Sequence, residues 1–126
     1  MRVLIADDQP DAAAVLAELV RQCRNEVVEV VCSGLDAIHS YERHRPDVVL
    51  MDHRMSKLNG VTACRHILAK DPTAKIILVS GYPPGCEAKD LGAVAILTKP
   101  VELHRLYEAL HAAAYPKSKE LPQATS

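Results

Sequence analysis

The fold of this chain is decided by residues 48–60, which read VVLMDHRMSKLNG. The first four residues are an apolar run with the length of a buried strand. Asp52 follows directly, and a polar loop then leads to Gly60. A carboxylate at the end of a buried strand is either a turn residue or part of a site. The residues that end the other strands decide between these two interpretations.

The composition indicates one globular domain. A chain of 126 residues, 48% hydrophobic and 25% charged, is long enough to bury a core without disulfide or metal staples. The formal net charge of -1 gives no reason to expect nucleic-acid binding or attraction to a membrane surface. With four Tyr and no Phe or Trp, the core must be mostly aliphatic.

The cysteines and apolar runs point to a cytoplasmic protein. The apolar runs are too short to span a bilayer, and MRVLIADD at the start turns acidic, unlike a secretory signal. The cysteines show no CxxC or other metal-finger spacing, so we expect reduced core residues. They are Cys23, Cys32, Cys64 and Cys86.

Short apolar runs alternate with helix-period segments along the chain. This alternation predicts an α/β fold, with five β-α units forming a doubly wound parallel sheet. The predicted strands are residues 3–6, 27–32, 48–51, 76–79 and 94–97. The predicted helices cover residues 11–24, 35–44, 61–68 and 103–110, with apolar positions that include Leu35, Tyr41 and Leu103. Between the last two strands, residues 83–91 contain Pro83-Pro84-Gly85 and leave room for only a short helix.

Polar residues follow four of the five predicted strands. They are Asp7-Asp8, Asp52, Ser80 and Thr98-Lys99-Pro100. Ligands of open α/β sheets bind beyond the carboxyl ends of the strands, so these groups should share one rim. Two carboxylates about 4 Å apart repel by roughly 4 kcal/mol at an effective dielectric of about 20. The acidic cluster therefore needs a cation, and ligands that are all oxygen favour Mg²⁺.

The same residues suit phosphoryl chemistry. Asp52 could act as a carboxylate nucleophile, and Lys99 and Ser80 could contact phosphoryl oxygens. Alone, each signal also has an ordinary explanation. A DD pair after a strand can cap a helix, and an Asp or a Lys-Pro pair often belongs to a turn. Their coincidence at one rim favours a site.

Four motifs together carry a family resemblance. LIADDQP, VVLMDHRMSKLNG, IILVSG and ILTKPVEL occur in an order and at a spacing that resemble the response-regulator receiver domain, the phospho-accepting module of two-component signalling. The resemblance implies a flavodoxin-like (βα)5 fold, a five-stranded parallel sheet with helices on both faces. It covers residues 1–115 as the receiver domain, and residues 116–126 are expected to be a flexible C-terminal tail.

The resemblance also assigns roles to the polar residues. Asp52 resembles the residue that accepts the phosphoryl group. Asp8 and Asp52 would bind Mg²⁺ directly, Asp7 mostly through water, and the backbone carbonyl of Arg54 would complete the protein ligands. Ser80 occupies the hydroxyl position that reaches the phosphoryl group. Lys99 matches the family lysine, and its bond to Pro100 is expected to be cis.

Several positions depart from the family pattern. Ser56 and Asn59 replace the usual Pro and Asp, within turn chemistry. Ile96 stands where the family has an aromatic switch residue, and Tyr82 is either a substitute or an ordinary loop residue. The short spacing from Ser80 to Lys99 predicts a short or remodelled fourth helix.

Arg54 and the histidines each have an ordinary interpretation beside a functional one. Arg54 could overhang Asp52, and one hypothesis is that it alters the lifetime of an acyl phosphate; the alternative is a solvated surface arginine. The six His residues, including His53 and His66, show no convergent metal spacing and are expected at the surface or partly packed.

The expected function is a phosphorylation switch that is not an enzyme beyond its own phosphorylation and dephosphorylation. A histidine kinase or phosphotransfer protein would donate the phosphoryl group, and a protein effector would read the switch, with phosphorylation-dependent homodimers possible. No direct nucleic-acid contact and no membrane insertion are expected. The start at Met1 suggests that the chain is not the end of a hybrid kinase.

Three rivals use the same residues differently. A degenerate receiver would act as a scaffold without phosphorylation. A haloacid-dehalogenase-type phosphatase would need a second acid where Arg54 stands. An FMN binder would need a Ser-, Thr- or Gly-rich loop after the first strand, where this chain has DDQPD.

Overall fold

The computed structural model describes residues 1–55, 58–81 and 91–115. All five strands run parallel in one sheet with the order β2-β1-β3-β4-β5. The strands are β1 Arg2–Ala6, β2 Glu26–Val31, β3 Val48–Asp52, β4 Ile76–Ser80 and β5 Ala95–Thr98. The helices of the described residues are α1 Pro10–Gln22, α2 Gly34–His44, α3 Gly60–Lys70 and α4 Leu103–Ala114. The predicted flavodoxin-like α/β fold is confirmed.

The helix boundaries follow capping chemistry. Pro10 opens α1, where its missing N–H costs nothing. The Ser33 hydroxyl accepts from the backbone N–H of Asp36 (3.1 Å) at the start of α2. The side chain of Asn59 accepts from the N–H of Thr62 (2.9 Å) at the start of α3. A residue that departs from the family pattern, Asn59, is therefore a helix cap.

The sheet divides the core into two layers. Side chains on one face pack with α2 and α3 around Leu4, Met51 and Leu78. Side chains on the other face pack with α1 and α4 around Leu50, Ile77 and Leu106. β1, β3 and β4 are almost completely buried, whereas β2 and β5 lie at the edges of the sheet and are partly exposed. Both faces of the sheet are therefore covered, as the apolar runs predict.

A bulge at the β2 edge brings a charged residue to α2. Val3 pairs with Val27, but Leu4 pairs with Glu29, so the register shifts by one residue. Glu29 accepts hydrogen bonds from the Ser40 hydroxyl (2.6 Å) and the Arg43 guanidinium (2.8 Å). The bulge thus links the edge strand to α2 through one carboxylate.

Three expectations about burial are wrong. Leu35 and Leu103 were predicted on the apolar faces of their helices, but they are 45% and 42% exposed. Both lie in the first turn of a helix, where a side chain reaches past the end of the packed layer. Cys32 is exposed rather than in the core, because it follows the edge strand β2.

Some predictions lie outside the described residues. These are the short fourth helix after Pro83, the positions of Tyr82 and Cys86, and the tail over residues 116–126. In the described parts of the chain, none of the helices combines the length and the apolar character that crossing a membrane requires.

Candidate functional site

The structure brings the predicted polar residues to one end of the sheet. Asp7 follows β1, Asp52 ends β3, Ser80 ends β4 and Lys99 follows β5. Backbone hydrogen bonds extend the ladder to these residues: Asp7 donates to Val31 (3.0 Å) and Lys99 donates to Ser80 (2.8 Å). The order of the strands places β3 between β1 and β4, so Asp52 lies at the centre of the site.

A lysine bridges two buried carboxylates. The Nζ atom of Lys99 lies 3.2 Å from Oδ1 of Asp52 and 3.4 Å from Oδ2 of Asp7. The side chain of Asp7 is completely buried, that of Asp52 is 6% exposed, and that of Lys99 is 26% exposed. The other Asp7 oxygen accepts from the N–H of Gln9 (2.9 Å), which fixes the orientation of the carboxylate. Lys99 therefore neutralises part of an otherwise costly negative charge.

Lys99 does not fully offset the cost of ionising Asp52. Burial and the nearby Asp7 carboxylate raise the pKa of Asp52, although Lys99 opposes the shift. Burial would lower the pKa of Lys99, but Asp52 and Asp7 outweigh it, and the net effect raises that pKa. Lys99 thus stays charged, while burial first and the Asp7 carboxylate second make the ionised form of Asp52 unfavourable.

The acidic residues fit a divalent cation. One carboxylate oxygen from each of Asp7, Asp8 and Asp52 lies within 4.8 Å of the others. Oxygen ligands alone, with unbalanced negative charge, suit a hard ion such as Mg²⁺. The structure therefore groups the three acidic residues that the sequence predicted as metal ligands. The fourth predicted ligand, the backbone carbonyl of Arg54, belongs to the loop directly after Asp52, and Arg54 itself is exposed.

The Ser80 hydroxyl lies close to a histidine that sequence reasoning did not assign to the site. Ser80 Oγ is 3.5 Å from Nδ1 of His53, at the outer limit of a hydrogen bond. Ser80 is buried and His53 is half-buried, so the expected surface or partly packed position of His53 is confirmed as partly packed. Strand alternation was the available signal, because the residue after Asp52 must face the opposite side of the sheet.

Two glycines hold the loop that follows Asp52. The Gly60 N–H donates to the carbonyl of His53 (2.9 Å), and a Cβ atom on Gly60 would collide with the carbonyl oxygen of Asp52. The Gly34 N–H donates to the carbonyl of Leu58 (3.1 Å), and a Cβ atom on Gly34 would collide with that same oxygen. Both helices can approach the loop only because these positions lack side chains.

One departure from the family pattern and one feature that agrees with it can be placed here in the structure. Ile96 lies in β5 opposite Leu78 of β4 and packs against the α2–α3 layer of the core. The peptide bond between Lys99 and Pro100 is cis, as predicted. Ser56 and Tyr82 lie outside the described residues.

Comparison with known proteins agrees with this geometry. The family model described as "Response regulator receiver domain" matches residues 3–111. The chemotaxis protein CheY of Listeria monocytogenes is 33% identical over 117 residues, covering 90% of this chain and 98% of that protein. CheY of Thermotoga maritima is 34% identical over 113 residues, covering 87% of this chain and 94% of that protein.

Solved structures show the same architecture. The response regulator domain of Thermotoga maritima CheB has a TM-score of 0.76 at 31% identity, covering 90% of this chain and 93% of that one. CheY in a CheX–CheY complex from Borrelia burgdorferi has a TM-score of 0.85 at 24% identity, covering 93% of this chain and 90% of that one. With a family match over most of its length, this chain belongs to the response regulator receiver domains of two-component signalling.

Proposed function

We propose that the protein is a phosphorylation switch in which Asp52 accepts a phosphoryl group with the help of Mg²⁺. The observation that carries this proposal is the buried Asp52 carboxylate at the centre of the acidic cluster, bridged to Asp7 by Lys99. A fold alone requires no such concentration of charge. Burying carboxylates together is costly, so the arrangement is best explained by a ligand that uses it.

The transfer step assigns a task to each residue. An oxygen of Asp52 forms a bond to phosphorus while the N–P bond of a phosphohistidine donor breaks, and the leaving imidazole nitrogen takes a proton. The Lys99 ammonium stands where it can pair with the new phosphoryl oxygens. The Ser80 hydroxyl can donate a hydrogen bond to the phosphoryl group once its side chain turns towards Asp52.

The metal role falls to the acidic residues. Asp7, Asp8, Asp52 and the backbone carbonyl of Arg54 would hold Mg²⁺, which supplies positive charge to the phosphoryl oxygens during transfer. Without it, an incoming phosphoryl group would face three carboxylates and one ammonium.

The partners follow from the chemistry of the switch. A histidine kinase or a phosphotransfer protein in the cytoplasm would supply the phosphoryl group, and a protein effector would bind one of the two states. Phosphorylation adds roughly two negative charges, which is enough to bias a surface between two conformations. The protein would then catalyse only its own phosphorylation and dephosphorylation.

Phosphorylation can be tested without knowing the natural donor. The protein is incubated with Mg²⁺ and acetyl phosphate, and its intact mass is measured. We expect the mass of one added phosphoryl group, its absence in Asp52→Asn, and its loss when Mg²⁺ is chelated. Glu18→Gln, which changes an exposed carboxylate on α1, is the matched control and should be phosphorylated normally.

Binding of beryllofluoride provides the second readout. This phosphoryl mimic should bind the wild type in the presence of Mg²⁺ and give bound ¹⁹F NMR signals that Asp52→Asn lacks. A wild type that is inert towards both acetyl phosphate and beryllofluoride would overturn the proposal and support the degenerate scaffold instead.

The exposed Arg54 is proposed to influence the lifetime of the acyl phosphate. It lies two residues after Asp52, where its side chain can affect the approach of water. The half-life of phosphorylated Arg54→Ala should therefore differ from that of the wild type when both are followed after removal of the donor. Equal half-lives would show that Arg54 is only a surface residue.

A further inference from the structure

We propose that His53 is a positioning residue that holds the Ser80 hydroxyl away from Asp52 until the site is phosphorylated. The inference rests on the proposed phosphorylation of Asp52 and adds a residue to it. In this proposal the histidine ring responds to the movement of Ser80. Ile96 occupies the position of the family's aromatic switch residue and has no ring that could do so.

The backbone fixes the ring beside Ser80. His53 directly follows Asp52, the last residue of β3, and continues the alternation of the strand, so the two side chains face opposite sides of the sheet. The N–H of His53 donates to the carbonyl of Val79 (2.8 Å), which anchors the histidine to β4 one residue before Ser80. Its Nδ1 atom then lies 3.5 Å from Ser80 Oγ. The two side chains therefore face each other on the side of the sheet away from the Asp52 carboxylate.

The surroundings of this contact are mostly apolar. A narrow gap next to the pair is lined by His53, Val61, Leu78, Ser80, Leu91 and Ile96. Four of these six side chains are aliphatic, so among the described residues that line the gap His53 and Ser80 provide the polar side chains. The Nδ1 atom of His53 among these aliphatic side chains favours a hydrogen-bond partner, and the Ser80 hydroxyl lies within its reach.

The contact is weak enough to be replaced. A separation of 3.5 Å is longer than a good hydrogen bond. A bond from Ser80 to a charged phosphoryl oxygen on Asp52 would be shorter and stronger. Phosphorylation would therefore draw the Ser80 hydroxyl across and leave His53 Nδ1 facing Ile96 and Leu91. The histidine ring must then reorient, which carries the change from the site to the α3 side of the sheet.

A double-mutant cycle on beryllofluoride affinity tests the inference. If His53 stabilises the resting position of Ser80, His53→Ala should bind beryllofluoride with Mg²⁺ about twofold to threefold more tightly than the wild type, the effect of a hydrogen bond at the weak end of the usual range. The same substitution should have no effect on affinity when Ser80→Ala is also present. His53→Asn can retain a donor or acceptor near the Nδ1 position and should behave more like the wild type. His66→Ala, at an exposed position of α3, should change nothing.

The ring itself supplies a spectroscopic readout. The His53 Cε1–H signal, identified by its loss in His53→Asn, should shift when beryllofluoride binds the wild type. In unliganded Ser80→Ala the signal should shift in the same direction, because the contact is already broken. These spectra need no folded His53→Ala.

The outcomes separate this inference from the proposed function. A wild type that gives no bound ¹⁹F signals overturns both. Normal beryllofluoride binding with an equal effect of His53→Ala in the presence and absence of Ser80→Ala overturns the positioning role alone. So does a His53 signal that beryllofluoride leaves unchanged.

Discussion

At the scale of single residues, the Asp52 carboxylate lies where its charge is costly. Burial and Asp7 raise its pKa, and Lys99 only partly offsets them. When the pKa of a carboxyl group is higher in the folded protein than in the unfolded chain, the folded protein loses stability as the pH rises through the range in which the group ionises. At neutral pH without metal, ionised Asp52 therefore works against folding. The residue that we propose as phospho-acceptor is a stability liability in the resting protein.

Replacing this carboxylate should stabilise the protein. Asp52→Asn removes the repulsion with Asp7 while Lys99 keeps Asp7 as a partner. We expect the free energy of unfolding without Mg²⁺ to rise by about 0.5–2 kcal/mol, the usual range for a stabilising single substitution. The measurement is urea unfolding followed by far-UV circular dichroism.

Magnesium supplies the control for this prediction. A bound cation stabilises the folded state by mass action, so Mg²⁺ should stabilise the wild type more than Asp52→Asn. Adding Mg²⁺ should therefore reduce the difference in the free energy of unfolding between the two proteins. Glu18→Gln should stay within about 0.5 kcal/mol of the wild type, as exposed substitutions usually do. An Asp52→Asn variant less stable than the wild type would contradict this account.

At the scale of elements, the loop after β3 depends on close approach by the start of α3. A Cβ atom at Gly60 would meet the backbone of Asp52, which cannot yield as a flexible side chain would. Gly60→Ala should therefore lower the free energy of unfolding by about 1–3 kcal/mol, the usual cost of overpacking, and weaken Mg²⁺ binding by displacing Asp52.

Gly81 offers a matched control, since a Cβ atom there would meet nothing within 4 Å among the described residues. Gly81→Ala should leave stability near that of the wild type in the same denaturation experiment. If Gly60→Ala and Gly81→Ala lowered the free energy of unfolding equally, the steric contact at Gly60 would not explain the loss.

The link between β2 and α2 should respond to pH. Hydrogen bonds from Ser40 and Arg43 lower the pKa of Glu29 against the effect of burial. A carboxylate with a depressed pKa stabilises the protein above its unfolded pKa, and that stability is lost as pH falls through the folded value.

Glu29→Ala should therefore cost about 1–2 kcal/mol at pH 7, because it leaves the buried Ser40 hydroxyl without this acceptor. The difference in the free energy of unfolding between Glu29→Ala and the wild type should become smaller below about pH 4, near the ordinary pKa range of Glu. Glu29→Gln keeps an acceptor and should retain part of the lost stability. Thermal unfolding at a series of pH values measures both variants, and a gap that widens in acid would refute the argument.

Most of the elements could be predicted from the sequence because continuous apolar runs and helical periodicity are local signals. The polar ends of β1, β3 and β4 and the residues after β5 were predictable too, since a parallel sheet gathers the carboxyl ends of its strands at one rim. The exposure of Leu35 and Leu103 could not be predicted, because neighbouring elements determine where a packed layer ends. The contact of Ser80 with His53 also required the pairing of β3 with β4 and the side-chain positions.

At the scale of the whole molecule, stability rests on two aliphatic layers that one sheet separates. Leu106 is completely buried between α4 and the sheet, whereas Leu103, one turn earlier on the same helix, is 42% exposed. Leu106→Ala should cost about 2–5 kcal/mol, as for other buried leucines. Leu103→Ala should lower the free energy of unfolding by much less than Leu106→Ala does. Chemical denaturation of both variants measures the difference, and similar losses would show that α4 does not close this layer as the structure indicates.

The glycine contacts of the loop have an evolutionary consequence. Gly34 and Gly60 are required by the approach of α2 and α3 to the loop, and neither supplies a side chain to phosphoryl chemistry. A lineage that lost Asp52 but still used this surface to bind partners would remain under selection to keep both glycines. A lineage that abandoned the surface would be free to lose them. Across related chains, retention of the two glycines should therefore record the survival of the loop's shape, independently of whether the chemistry survived.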